Sequence, residues 1–158
     1  MITKNDELFL QQAIEIAEKN ISLGGGPFGA IIVKNNEIIA SSGNEVRIIN
    51  DPTAHAEIQA IRKATKIKSN FSLENCTIYS SCEPCPMCLG AIYWAKIPRL
   101  IFGASRLDAA AGGFDDEFIY TELSLPLNER KIKTLKLSLP SAKSIFEKWI
   151  NLNDKLKY

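Results

Sequence analysis

From end to end the chain alternates segments of helical periodicity with short apolar runs of strand length, and that alternation restricts it to an α/β fold. A helix over 6–22 is predicted from Leu10, Ala13, Ile14, Ala17 and Ile21, with Asn5 or Asp6 as its cap. Gly24-Gly25-Gly26-Pro27 ends it. Phe28–Lys34 then reads as a buried strand, and the Asn35-Asn36 turn predicts that Glu37–Ser42 returns antiparallel. Asp51-Pro52-Thr53 reads as a helix start, giving a helix over 53–67. Cys76–Ser80 and Arg99–Gly103 read as the third and fourth strands, with a helix opened by Pro84 between them. Thr134–Leu137 is predicted as a fifth strand and 141–155 as a closing helix. The stretch 104–130 has no clear period and reads as a surface loop with a short helix, of a length that is often functional.

With 158 residues, 46% apolar and 23% charged, the chain suits one soluble domain rather than two, and 1–158 is read as a single unit without repeats or linkers. A net charge of +1 gives no global attraction to nucleic acid or anionic membrane. Neither a membrane span nor a signal-peptide pattern is visible, so a cytoplasmic location is expected. The four cysteines, at 76, 82, 85 and 88, crowd one window, which points to metal or redox chemistry rather than a disulfide framework.

Two short motifs carry the chemistry. His55-Ala56-Glu57 lies at the start of one predicted helix and Pro84-Cys85-Pro86-Met87-Cys88 at the start of another. Cys-x-x-Cys in a first helical turn aims two sulfurs at one spot, and the positive end of the helix dipole favours the thiolates that zinc binds. With His55 as third ligand, Cys85 and Cys88 make a Cys2His site whose fourth tetrahedral position, open to water or hydroxide, marks a catalytic Zn2+. A structural zinc would need Cys82 or Cys76 as a fourth ligand, since His55 is the sole histidine. A redox Cys-x-x-Cys would leave the His55–Glu57 pair unexplained. A carboxylate beside an acidified water can take its proton, which is the role expected of Glu57. His-x-Glu with Pro-Cys-x-x-Cys is the signature of zinc nucleobase deaminases.

The motifs lie within a longer resemblance. It runs through Gly25-Gly26-Pro27-Phe28-Gly29-Ala30, Asn44, Asp51 to Glu57, and Ser81 to Ala95. It continues in Gly113-Phe114-Asp115-Asp116-Glu117-Phe118-Ile119-Tyr120 and the terminal Tyr158. On these residues the chain resembles the cytidine-deaminase superfamily and, within it, the short bacterial guanine deaminases. The resemblance implies a three-layer α/β/α fold with a five-stranded mixed sheet, one Zn2+ per subunit where two helix N-termini converge, and hydrolysis of guanine to xanthine and ammonia. It also implies a homodimer in which the segment from about 140 to 158 is exchanged, so that Tyr158 closes the partner's pocket.

The same resemblance implies that Phe28 stacks on the purine, that Trp94 lines the cavity, that Asn44 hydrogen-bonds the base and that Asp116 meets the 2-amino group. Taken alone, these residues and Tyr158 read rather as core aromatics, a turn residue, one of the solvated loop pair Asp115-Asp116, and a frayed chain end. The zinc motif is shared with tRNA adenosine deaminases, and a guanosine deaminase differs only by room for ribose, so both stand as alternatives. Lys143, Lys148, Lys155 and Lys157 are interleaved with Glu147 and Asp154, which weakens the case for RNA. Cys76 and Cys82 read as buried structural cysteines.

Overall fold

The structure is a computed structural model and describes residues 1–155. It falls into two compact units, Met1–Asp116 and the remainder from Glu117.

The first unit is built on a mixed sheet. Its strands are β1 (Gly26–Lys34), β2 (Glu37–Asn44), β3 (Thr77–Cys82) and β4 (Arg99–Ala104), in the order β2-β1-β3-β4. β1 runs antiparallel to both β2 and β3, whereas β3 and β4 are parallel. Parallel neighbours need a crossover, and α4 (Pro86–Trp94) supplies it. Asn35 and Asn36 both have positive φ, 52° and 62°, the conformation a tight hairpin turn demands.

Helices cover both faces. α1 (Lys4–Ser22) lays Ala13 with Phe9, Leu10 and Ile16 on Ile31, Val33 and Tyr79. α3 (Ala56–Lys68) presents Ala56, Ala60 and Ala64, four residues apart and fully buried, to Ala30, Ile32, Ala40 and Ile78. This alternation along β1 leaves Ala30 to Val33 buried on both sides, which is why that strand is a continuous apolar run.

Several boundaries differ from the expected ones. Helix α1 is capped by Thr3, not Asn5 or Asp6: Thr3 Oγ1 accepts from Asp6 N–H while Asp6 accepts from Thr3 N–H. Helix α3 begins at Ala56 rather than 53, because Asp51 Oδ1 accepts from both the N–H and the hydroxyl of Thr53 and holds that stretch as a turn. In α4 the helix-opening proline is Pro86, one position inside Cys85, rather than Pro84. Two further helices, α2 (Val46–Ile49) and α5 (Arg106–Ala111), complete the first unit, the latter capped by Ser105 and Asp108.

The second unit contains α6 (Glu117–Ser124) and α7 (Pro140–Ile150). The expected fifth strand is absent: Thr134–Leu137 has no ladder partner, and the sheet has four strands among the described residues. Strand propensity is local but a strand exists only by pairing, and Leu135 and Leu137 are instead 81% and 80% exposed. No helix among the described residues is long and apolar enough to cross a membrane.

Candidate active site

His55 and Cys85 are the N-cap residues of α3 and α4, so both helices begin at the same place, with Cys88 one turn into α4. His55 Nδ1 stands 3.6 Å from Cys85 Sγ and 3.5 Å from Cys88 Sγ. All three donor atoms lie within 4.8 Å of one another. A tetrahedral zinc, with bonds of about 2.0 Å to nitrogen and about 2.3 Å to sulfur, holds its N and S ligands roughly 3.6 Å apart. The donor set therefore fits zinc in chemistry and in spacing.

Cys88 hydrogen-bonds Cys85 and, with His55, holds its thiol down to about 4, so Cys85 is the ready thiolate of the pair. The same bond, with burial, drives the Cys88 thiol upward. The bond to Cys85 raises His55 against the opposing effect of burial. Each proton shared in this cluster is one that a cation displaces on binding. Cys82 does not join this donor group: its sulfur lies 3.6 Å from the Ser105 carbonyl oxygen, and burial pushes its thiol up to about 11. Cys76 is buried in the apolar cluster beneath α3.

Glu57, in the first turn of α3, is buried beside the cluster. Ser80 Oγ, from the middle of β3, donates to its Oε1 at 3.0 Å, and its Oε2 lies 3.4 Å from Cys88 Sγ. Burial raises the Glu57 carboxyl, and its own backbone N–H and the Ser80 hydroxyl pull it partly back. A carboxyl poised upward and held from one side is suited to receiving and returning a proton.

A cavity of about 410 Å³ opens over these groups. Phe28, Asn44, Phe114 and Asp116 line it together with His55, Glu57 and Cys85. Phe28 and Phe114 meet edge to face, centroids 4.9 Å apart at 85°, forming an aromatic corner. Asn44 ends β2, nearly buried, and its Oδ1 accepts from Val46 N–H at 3.2 Å, so the amide has its NH2 to offer the cavity. Burial raises the Asp116 carboxyl, and the charge of Cys85 adds to the effect.

Of the residues expected at the site, Trp94 is not brought to it. A helix rises about 1.5 Å per residue, so α4 carries Trp94 away from Cys85, to its far end, where it is 67% exposed. Tyr158 lies outside the described residues. Ser80, one serine among several, had no visible signal in the sequence, and Phe114, already part of the Gly113–Tyr120 resemblance, acquires a role of its own from its contact with Phe28.

Residues 3–104 match the profile described as "Cytidine and deoxycytidylate deaminase zinc-binding region". The chain belongs to this deaminase family. It is a zinc-dependent hydrolytic deaminase, and His55, Cys85 and Cys88 fit its one Zn2+ per subunit. The deaminase is 49% identical over 155 residues to the guanine deaminase of Bacillus subtilis (strain 168), covering 98% of this chain and 99% of the relative. The X-ray structure of guanine deaminase from Bacillus subtilis superposes with a TM-score of 0.94, at 47% identity and 99% of both chains. The tRNA-specific adenosine deaminase of Haemophilus influenzae is 44% identical over 117 residues, 70% of this chain and 68% of the relative.

Proposed function

We propose that this deaminase hydrolyses guanine to xanthine and ammonia. The observation that carries guanine in particular is the full-length similarity to a guanine deaminase, which extends beyond the zinc motifs, whereas the match to a tRNA-specific adenosine deaminase covers 70% of the chain. An aromatic corner beside a buried acid also suits a flat, amino-bearing base.

Zinc held by His55, Cys85 and Cys88 supplies the Lewis acidity that makes a water reactive near neutral pH. Phe28 stacks on the purine, and the Asn44 NH2 donates to an acceptor on the base edge. Glu57 takes a proton from the attacking water and delivers it to ring N3 as oxygen bonds to C2. The Ser80 hydroxyl steadies the carboxylate while it turns between donor and acceptor. Glu57 or Asp116 then carries the second proton, from the hydroxyl now bonded to C2, to the amino group; the C2–N bond breaks, the C2 oxygen becomes a carbonyl, and ammonia leaves with xanthine as the other product. Water and guanine are the sole reactants, so atoms balance without a redox partner.

The active form is read as a cytoplasmic homodimer that exchanges its C-terminal segment, with Tyr158 over the partner's pocket. Two observations support the exchange. The outer edge of β4 has no neighbour among the described strands, and the second unit leaves Leu135, Leu137, Ile145, Phe146 and Ile150 exposed.

Ammonia release by the zinc-loaded protein tests the substrate, with guanine, guanosine, adenine, cytosine and a tRNA anticodon stem-loop offered in parallel. Release from guanine, with little from the others, is expected. Release from the stem-loop alone would overturn the substrate and leave the zinc chemistry standing.

A further inference from the structure

Asn20 touches neither the metal ligands nor the cavity, yet its side chain ties together the two strands that form the cavity wall. It sits in the last turn of α1 and is 6% exposed. Its Nδ2 donates to Gly26 O at 2.7 Å and to Asn44 O at 2.8 Å. Gly26 and Asn44 face each other across the β1–β2 pair, at the end where the register slips between Gly26 and Gly29. Pro27 lies inside that slip and has no N–H to donate, so the ladder is weakest there. The amide of Asn20 supplies two donors from outside the sheet.

The fit is close on both sides. A Cβ at Gly25 would stand inside contact distance of Asn20 Nδ2, and one at Gly43 inside that of Asn20 Cγ and Oδ1. The absence of a Cβ at these two glycines thus leaves the socket that the Asn20 amide fills. The Asn20 carbonyl also accepts from Gly25 N–H at 3.0 Å. Gly25, Gly26, Phe28 and Asn44 all line the cavity.

We propose that Asn20 is a positioning residue for substrate, setting the separation between the ring of Phe28 and the amide of Asn44. The inference rests on the guanine reading above. It takes binding of the base, not proton transfer, as the step that Asn20 governs, because Glu57 and the zinc ligands are held by β3, α3 and α4.

The test is steady-state kinetics of guanine deamination by zinc-loaded Asn20→Ala and Gly43→Ala. The first deletes the amide and the second displaces it from its socket. Both should raise KM about tenfold or more, the scale of one to two lost hydrogen bonds, while kcat stays within about threefold. Asp6→Asn, at the other end of α1, destabilises the same helix and should leave KM unchanged. Should Asn20→Ala fail to fold, Asn20→Ser fits the socket with one donor and is read in the same way. A folded Asn20 variant with a lowered melting temperature and wild-type KM would reduce Asn20 to a structural role and overturn the inference. A wild type inert toward guanine would instead sink the substrate reading, and the two failures are told apart by the wild-type arm.

Discussion

Asp6→Asn is the perturbation whose consequences the structure specifies most fully. The Asp6 carboxylate is buried and accepts from Thr3 N–H (2.7 Å), Thr3 hydroxyl (2.8 Å), Tyr79 hydroxyl (2.6 Å) and both Arg99 nitrogens (2.6 and 2.9 Å). It therefore joins the cap of α1 to β3 and β4. An amide keeps the shape, but it loses the charge and replaces one acceptor oxygen with an NH2 donor that faces other donors. Removing one member of a buried ion pair costs about 3–5 kcal/mol. The Arg99 side chain is 39% exposed, so water recovers part of that loss, and we take the lower end, about 3 kcal/mol. For a chain of this size each kcal/mol moves the melting temperature by about 2–4 °C, so the zinc-loaded variant should melt roughly 6–12 °C below wild type.

The pH dependence follows from the same contacts. The Arg99 guanidinium and the Tyr79 hydroxyl hold the Asp6 carboxyl well below the usual carboxylate range. A depressed folded-state pKa gives stability that is complete above the unfolded value, about 3.9, and is lost as pH falls from there toward the folded value. The gap between wild type and variant should therefore hold from about pH 8 to about pH 5 and close at lower pH. Melting curves by circular dichroism at matched concentration and zinc content measure it. A gap under about 2 °C at neutral pH would refute the view that this clamp anchors α1.

Glu57→Gln should retain stoichiometric zinc by atomic absorption while kcat falls by about 10³-fold or more, since the amide cannot carry the proton; near-normal turnover would remove Glu57 from the mechanism. Gly29→Ala drives a Cβ into the Ala13 carbonyl and Ala17 nitrogen of α1, backbone atoms that cannot move aside. It should lower the urea midpoint by an amount equivalent to about 1–3 kcal/mol, and an unchanged midpoint would mean that α1 sits further from β1 than described.

The reaction was legible in the chain because its residues are close in sequence and on helix starts. His55 and Glu57 are two apart, Cys85 and Cys88 three apart, and both pairs stand at helix starts, which the sequence placed to within three residues although they lie at Ala56 and Pro86 rather than at 53 and Pro84. Strands β1 to β4 were legible for a similar reason, as apolar runs bounded by turn residues. The fifth strand was not, because Thr134–Leu137 has a strand's composition while pairing depends on a neighbour that composition does not name. Trp94 was placed at the cavity by its resemblance, but the direction of α4 decides where it goes.

Tertiary structure alone decided the contacts between residues far apart. Ser80 reaches Glu57 across 23 positions, Asn20 reaches Asn44 across 24, and Asp6 reaches Arg99 across 93. Each is an ordinary polar residue in the sequence, and only burial in the folded chain makes its partners matter. Local spacing thus determined which chemistry this chain can perform, whereas the packing of α1 and α3 on the sheet determined how the acid, the amide and the aromatic wall are held to perform it.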